Sequence, residues 1–399
     1  MRVEVFQENI MKIKPIITAV AASLTLSACM VVVEEGSRKH TNNTPSSVKQ
    51  GYSAQPTKTT KSANTSNKVF SQDYVLEELP NGLRVMVVKT DYPDLVSIQI
   101  PVSTGSRNEV EKGKTGFAHF FEHMMFKGSD KFPQDMYADI FKNAGVDHGA
   151  YTTNDYTNYH IDFSKEHLDK VLEIQGDHFK NLKYTEAQFR TEALTVKGEY
   201  LKNNASPIRK LLAAVRKEAF DKHTYKHTTM GFFEDIEAMP DQMAYGETFF
   251  NRFYKPEYVS IIIAGDVDPK ATMKLVKKHW GDWQRGDFIS EVPKEPKQQS
   301  PRYKHEKYEG LPGHWILVSY KGSAWLPKEK DRAALDLISR LYFSSNSELY
   351  QELVVDKQIA SQMFTYNPET KDAGLRHVFV KVNDEKDLAV VRDAINLTY

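Results

Sequence analysis

A chain of 399 residues with 53 basic and 53 acidic side chains has no global charge to draw it to nucleic acid or another polyanion. Its 40% hydrophobic and 11% aromatic content is enough to bury the cores of two ordinary domains, which excludes wholesale disorder. The single cysteine, Cys29, excludes a disulfide framework and a cysteine-based metal site.

The chain opens with ten residues unlike an export signal, and then "MKIKPIITAVAASLTLSAC" supplies a basic start, an apolar run from Ile16 to Leu26 and small residues before Cys29. That pattern points to translation from Met11. The run is well short of the ~20 residues that span a bilayer, so residues 1–28 read as an export signal peptide. Leu26-Ser27-Ala28-Cys29 resembles the bacterial lipobox, in which the cysteine is acylated and becomes the mature N-terminus. An ordinary signal cleaved after Ala28 is the alternative. Met30 is not the aspartate linked to inner-membrane retention, which favours the periplasmic face of the outer membrane. Residues 29–70, rich in Ser, Thr, Asn and Lys, read as a flexible polar tether.

From Tyr74 the pattern becomes that of a folded body. "YVLEELPNGLRVMVVK" predicts two strands around Pro80-Asn81-Gly82, and "VSIQIPV" alternates like a half-buried strand. A loop leads into a helix carrying "GFAHFFEHMMFKG". Next come a strand "YTNYHIDF", an amphipathic helix "KEHLDKVLEIQGDHF" and a second, "TEAQFRTEALTVKGEYLKN", with Thr185 as its N-cap. A buried strand "YVSIIIAGDV" and a helix opening at Pro269 complete a first domain, residues 71–283.

Residues 284–310, rich in Pro, Lys, Glu and Gln, read as an interdomain linker. The order then restarts over residues 311–399: strand "HWILVSYKG", helices "KDRAALDLISRLYF" and "SELYQELVVD", strands "ASQMFTYN" and "LRHVFVKV", and a helix from near Lys386. The predicted class is α+β, two-layer domains of mainly antiparallel sheet covered by helices and duplicated along the chain. The second copy stops within a helix at less than half the length of the first, which suggests a C-terminally truncated chain.

The motif raises a physical question, because polar groups buried in an apolar helix without partners cost several kcal/mol. His119 and His123 stand at i and i+4, on one helical face and about 6 Å apart at their roots. Two imidazoles at that spacing can hold a divalent metal, zinc being the usual occupant, with Glu122 placed to reach a water rather than the cation. This H-x-x-E-H order is the inverted zinc-peptidase motif. A catalytic zinc wants a third protein ligand, for which the helix over 185–203 offers Glu192 and Glu199 on one face. Taken alone, both glutamates could equally be solvated surface carboxylates.

"NGLRV", "GSRNE", "GFAHFFEHMMFKG", "YTTNDYTNYHIDF" and "FRTEALTVKGEY", in this order and spacing, resemble the pitrilysin/insulinase family of zinc metallopeptidases over residues 74 to 399. The resemblance implies one zinc per chain held by His119, His123 and Glu199, the last with 75 residues between it and His123. It makes Glu122 the general base of a zinc-dependent endopeptidase, and Glu192 a supporting acidic residue of the catalytic site. Peptides or unfolded segments would add as a strand to a sheet edge. A second half would come from a longer native chain or from dimerisation. One departure stands out: the family's Asn-Ala-x-Thr is here Gly149-Ala150-Tyr151-Thr152, so the side-chain amide that touches substrate backbone is missing. His148 and His160 nearby read as surface or second-layer residues. The competing reading is a non-catalytic, lipid-anchored binding or scaffold subunit of the same fold.

Overall fold

The computed structural model describes residues 28–30, 72–307, 313–326 and 329–398. Apart from Ala28–Met30, the expected signal peptide and tether lie outside the described residues. The chain divides into two units. Among the described residues, one comprises 72–206 and 222–294; the other comprises 28–30, 207–221 and those from 295 on.

The first unit is built on a mixed six-stranded sheet. Strands β2 (Tyr74–Glu78) and β3 (Arg84–Lys89) form the predicted hairpin. Gly82 turns through φ +91°, and the Asn81 amide donates to the carbonyls of Trp280 and Trp283. With β4 (Leu95–Val102), β5 (Asp147–Thr152), β6 (Thr157–Ser164) and β7 (Ser260–Gly265) the sheet order is β2-β3-β7-β4-β6-β5. Only the β3–β7 pair is parallel among these. Along β4 the period of two is plain: Val96, Ile98, Ile100 and Val102 are fully buried, while Ser97, Gln99 and Pro101 between them are half-buried.

Helices cover the apolar face: α1 (Phe117–Met124), α2 (Gln134–Asn143), α3 (Leu168–Asn181) and α4 (Glu186–Asn204). The next, α5 (Pro207–Ala219), packs on a strand of the second unit, so the stretch 71–283 expected as one domain is interrupted there. Returning to the first unit, the chain forms α6 (Phe233–Ala238), α7 (Met243–Phe253) and α8 (Pro269–Trp280), the last N-capped by Asp268.

In the second unit β1 (Ala28–Met30), β8 (His314–Lys321), β9 (Ala360–Tyr366) and β10 (Leu375–Val382) form an antiparallel sheet in the order β1-β8-β10-β9. Its helices are α9 (Asp331–Phe343), α10 (Glu348–Tyr350), which runs on as a π-helical turn over Gln351–Asp356, and α11 (Leu388–Thr398). A separate cluster including Ile316, Val318, Leu353, Val380 and Ile395 forms its core. The α+β class and the repeated sheet-and-helix plan are as the sequence predicts.

Candidate metal centre

α1 divides its residues between core and site by helical period. Phe117, Phe120, Phe121 and Met124, at i, i+3, i+4 and i+7, are fully buried, with Phe120 edge-on to Phe189 of α4 and Phe121 stacked on Phe249 of α7. That leaves His119, Glu122 and His123 on the opposite side. The helix begins at Gly116, whose φ of +91° suits a residue without a Cβ. Its first amides are satisfied by a residue the motif alone does not reveal. The buried Glu109 carboxyl accepts the N–H groups of Gly116 at 2.8 Å and Ala118 at 2.7 Å. Burial pushes this acid up to about 8, against the pull of those two amides. The only sequence signal for it is its place in "GSRNE", where it closes the motif.

α4 starts at the predicted N-cap, which the structure extends to a capping box: Thr185 Oγ1 accepts the Gln188 N–H while Gln188 Oε1 accepts that of Thr185. Its inward face carries Glu192 and Glu199 to α1. Glu199 Oε2 lies 3.4 Å from His119 Nε2 and 3.6 Å from His123 Nε2, and the two Nε2 atoms are 3.3 Å apart. These three residues form a group able to hold a metal ion, their donor atoms all within 4.8 Å of one another. Four ligands arranged tetrahedrally at ~2.0–2.1 Å from a zinc are about 3.3–3.4 Å from each other, so the convergence fits that ion.

The electrostatics favour the same use. Burial, then the neighbouring His123, drives the His119 imidazole down to about 4, although Glu199 opposes. It is therefore neutral at pH 7 and keeps a lone pair for a ligand. Its Nδ1 is buried without a hydrogen-bond partner among the described residues. His123 is held through its far side: Nδ1 sits 2.9 Å from Glu192 Oε1, and Lys127 Nζ lies 2.6 Å from the other Glu192 oxygen. The His123 contact and then Lys127 bring Glu192 down to about 2, outweighing burial. For His123, burial lowers the pKa but is outweighed by Glu192, so the net shift is upward.

Glu122 stands apart from the three donors. Its Oε2 accepts the Thr152 hydroxyl at 2.6 Å, from the end of β5. Burial raises its pKa, with the Thr152 bond opposing. Asn203 Nδ2 donates to Glu199 Oε1 at 3.2 Å, leaving Oε2 for the cluster. Every residue predicted for the site is thus gathered at one place except Cys29, whose backbone lies in β1 opposite Ser319. Lys127 and Thr152 are supporting residues that sequence reasoning missed in these roles. His148 packs among Phe126, Tyr137 and Phe141, and His160 lies on the other face of the sheet; neither joins the cluster.

Comparison with known sequences and structures places the chain among related proteins. A family profile described as Insulinase (Peptidase family M16) matches residues 84–231, and one described as Peptidase M16 inactive domain matches residues 247–398. Zinc protease PqqE of Helicobacter pylori is 32% identical over 300 residues, covering 74% of this chain and 66% of that protein. The crystal structure of a protease from Helicobacter pylori superposes with a TM-score of 0.75 at 29% identity, over 82% of this chain and 79% of that one. The first half of the periplasmic protease PqqL from Escherichia coli shares the fold, with a TM-score of 0.61 at 21% identity over 82% of this chain and 72% of that one.

Proposed function

This chain is a zinc-protease-like protein of the insulinase family, peptidase family M16, with both domain types on one chain, and from that premise we propose that it is a zinc-dependent endopeptidase acting on peptides or unfolded segments. The observation that carries the proposal is the meeting of Glu199 with the two imidazoles of α1 at 3.4 and 3.6 Å. His119, His123 and Glu199 would hold one zinc per chain. When bound, that ion supplies Lewis-acid polarisation of the scissile carbonyl and activation of water at neutral pH.

The chain's own residues do the rest. Glu122, lifted by burial toward the working pH, takes the proton of the attacking water and returns it to the leaving amine. Thr152 fixes the orientation of that carboxylate from the end of the sheet. Glu192 holds His123 in the tautomer that carries hydrogen on Nδ1, so that Nε2 is free to ligate. Lys127 keeps Glu192 ionised in that role. An extended substrate would pair with β5, whose outer edge no described strand covers. Gly149 offers that substrate no side-chain amide.

We infer the cellular setting from the N-terminal signals. Residues 1–28 would direct export, Cys29 would carry the lipid after leaving its pairing with β8, and residues 29–70 would tether the body to the periplasmic face of the outer membrane. Among the described residues no helix is long and apolar enough to cross a membrane. A second half from a longer chain or a partner copy would complete the substrate enclosure. The deciding experiment measures bound zinc and turnover of a quenched peptide together. Stoichiometric zinc with chelator-sensitive cleavage supports the peptidase; zinc without cleavage, in the chain supplied with its second half, turns the reading to the non-catalytic subunit.

A further inference from the structure

β5 ends the first sheet, and its last residue, Thr152, donates to Glu122, so the uncovered edge of this strand runs up to the centre described above. Three residues before Thr152 stands Gly149, paired across the ladder with His160 of β6. No positive φ requires glycine there. The space is occupied instead: a Cβ at this position would lie 2.8 Å from His160 Cε1 and 2.9 Å from its Nε2, so any side chain there would have to displace the ring. The imidazole of the inner strand has taken the room of the side chain that the edge strand lacks.

The two ring nitrogens are not equivalent. Nδ1 is buried and has no hydrogen-bond partner among the described residues. A buried N–H without an acceptor is rarer and costlier than a bare acceptor, so the hydrogen-bond network assigns the proton to Nε2, the atom beside Gly149. Side chains directly opposite one another across a ladder share a face. A peptide strand added outside β5 therefore sets the side chain paired with Gly149 against the Nε2–H edge of His160. The same face carries Asp147 directly paired with Asp162, a like-charge pair that disfavours a further carboxylate. Tyr151 walls the position on its other side, its ring centroid 6.4 Å from that of His160.

We propose that His160 is a specificity-determining residue, which donates from Nε2 to an uncharged acceptor side chain, a carboxamide or hydroxyl, on the substrate residue that pairs with Gly149. The inference rests on the peptidase reading and names a subsite within it. Its test is a set of quenched peptides varied one position at a time, cleaved by the full zinc-loaded chain. One position should prefer Gln or Asn over Leu and over Glu, by about five- to tenfold in kcat/KM, the size of one net hydrogen bond, with the difference carried in KM. His160→Ala should flatten the preference at that position alone and leave bound zinc unchanged. Gly149→Ala, whose added carbon must push the ring aside, should flatten it independently, which decides the matter should His160→Ala misfold. Anisotropy measured with the same peptides and the zinc-loaded Glu122→Gln variant should show the same ratios in binding without cleavage. Cleavage by the unaltered chain with no such position, or a preference that survives both substitutions, overturns this inference and leaves the peptidase standing. Absence of cleavage by the zinc-loaded unaltered chain supplied with its second half overturns both.

Discussion

Glu192 Oε1 lies 2.9 Å from His123 Nδ1, so a carboxylate two turns before Glu199 on α4 grips the back of the ring whose front faces the cluster. One helix thus presents both a metal-side donor and the group that orients its neighbour.

That arrangement predicts a metal-affinity effect without loss of a ligand. Glu192→Gln should weaken zinc binding about 10–100-fold, the usual cost of removing an outer partner of a ligating histidine. Competition against a chromogenic chelator measures it. Unchanged affinity would mean that His123 is oriented by packing alone.

Glu122→Gln removes the proposed base while keeping the shape and the Thr152 acceptor. Zinc content should stay at the unaltered level, and turnover of a quenched peptide should fall by about 10²–10⁴-fold, the contribution of a placed general base. Substantial activity in this variant would assign the proton transfer elsewhere.

Glu109→Ala strips the acceptor from two buried amides at the start of α1. The expected loss is about 2 kcal/mol or more of unfolding free energy, since each buried donor left unsatisfied costs about 1–3 kcal/mol. Chemical denaturation of the apo and zinc-loaded forms gives the number. A larger loss in the loaded form shows that the cap also holds the ligands in place.

His377 predicts acid sensitivity in the second unit. It is fully buried on β10, with Nδ1 2.7 Å from the Ser319 hydroxyl, and burial followed by the charges of Arg216 and Arg376 brings it down to about 3. A folded-state value below the unfolded value of 6.5 means that the neutral ring is the one the fold accepts. Its contribution is therefore complete above pH 6.5 and declines as the pH falls toward 3. Between pH 6.5 and pH 5 the loss is about 1.5 kcal/mol, since the slope reaches its full ~1.36 kcal/mol per pH unit only below the unfolded value. Unfolding midpoints at the two pH values test this, and His377→Gln should remove most of the difference.

Much of the fold was legible because local patterns and tertiary packing agree. The alternation of 96–102, the Thr185 cap and the Pro269 start all mark elements whose limits the structure reproduces to within a residue or two. Where a segment's place depends on distant partners, the pattern was silent. The helix over 207–219 is amphipathic whichever sheet it covers, and its allegiance to the second unit is set by β8, some hundred residues on.

The site divides along the same line. His119, Glu122 and His123 lie within five residues, and the helical period alone puts the two imidazoles on one face, so the sequence determined that pair and the acid beside it. Which oxygen completes the donor set was a matter of resemblance until α4 docked on α1 and brought Glu199 to within 3.6 Å of both rings. Only the tertiary structure could assign Lys127 to Glu192, Thr152 to Glu122 and the His160 ring to the gap at Gly149. A backbone period specifies neighbours one turn or one pleat away, whereas contacts between elements are decided by how whole apolar faces pack together.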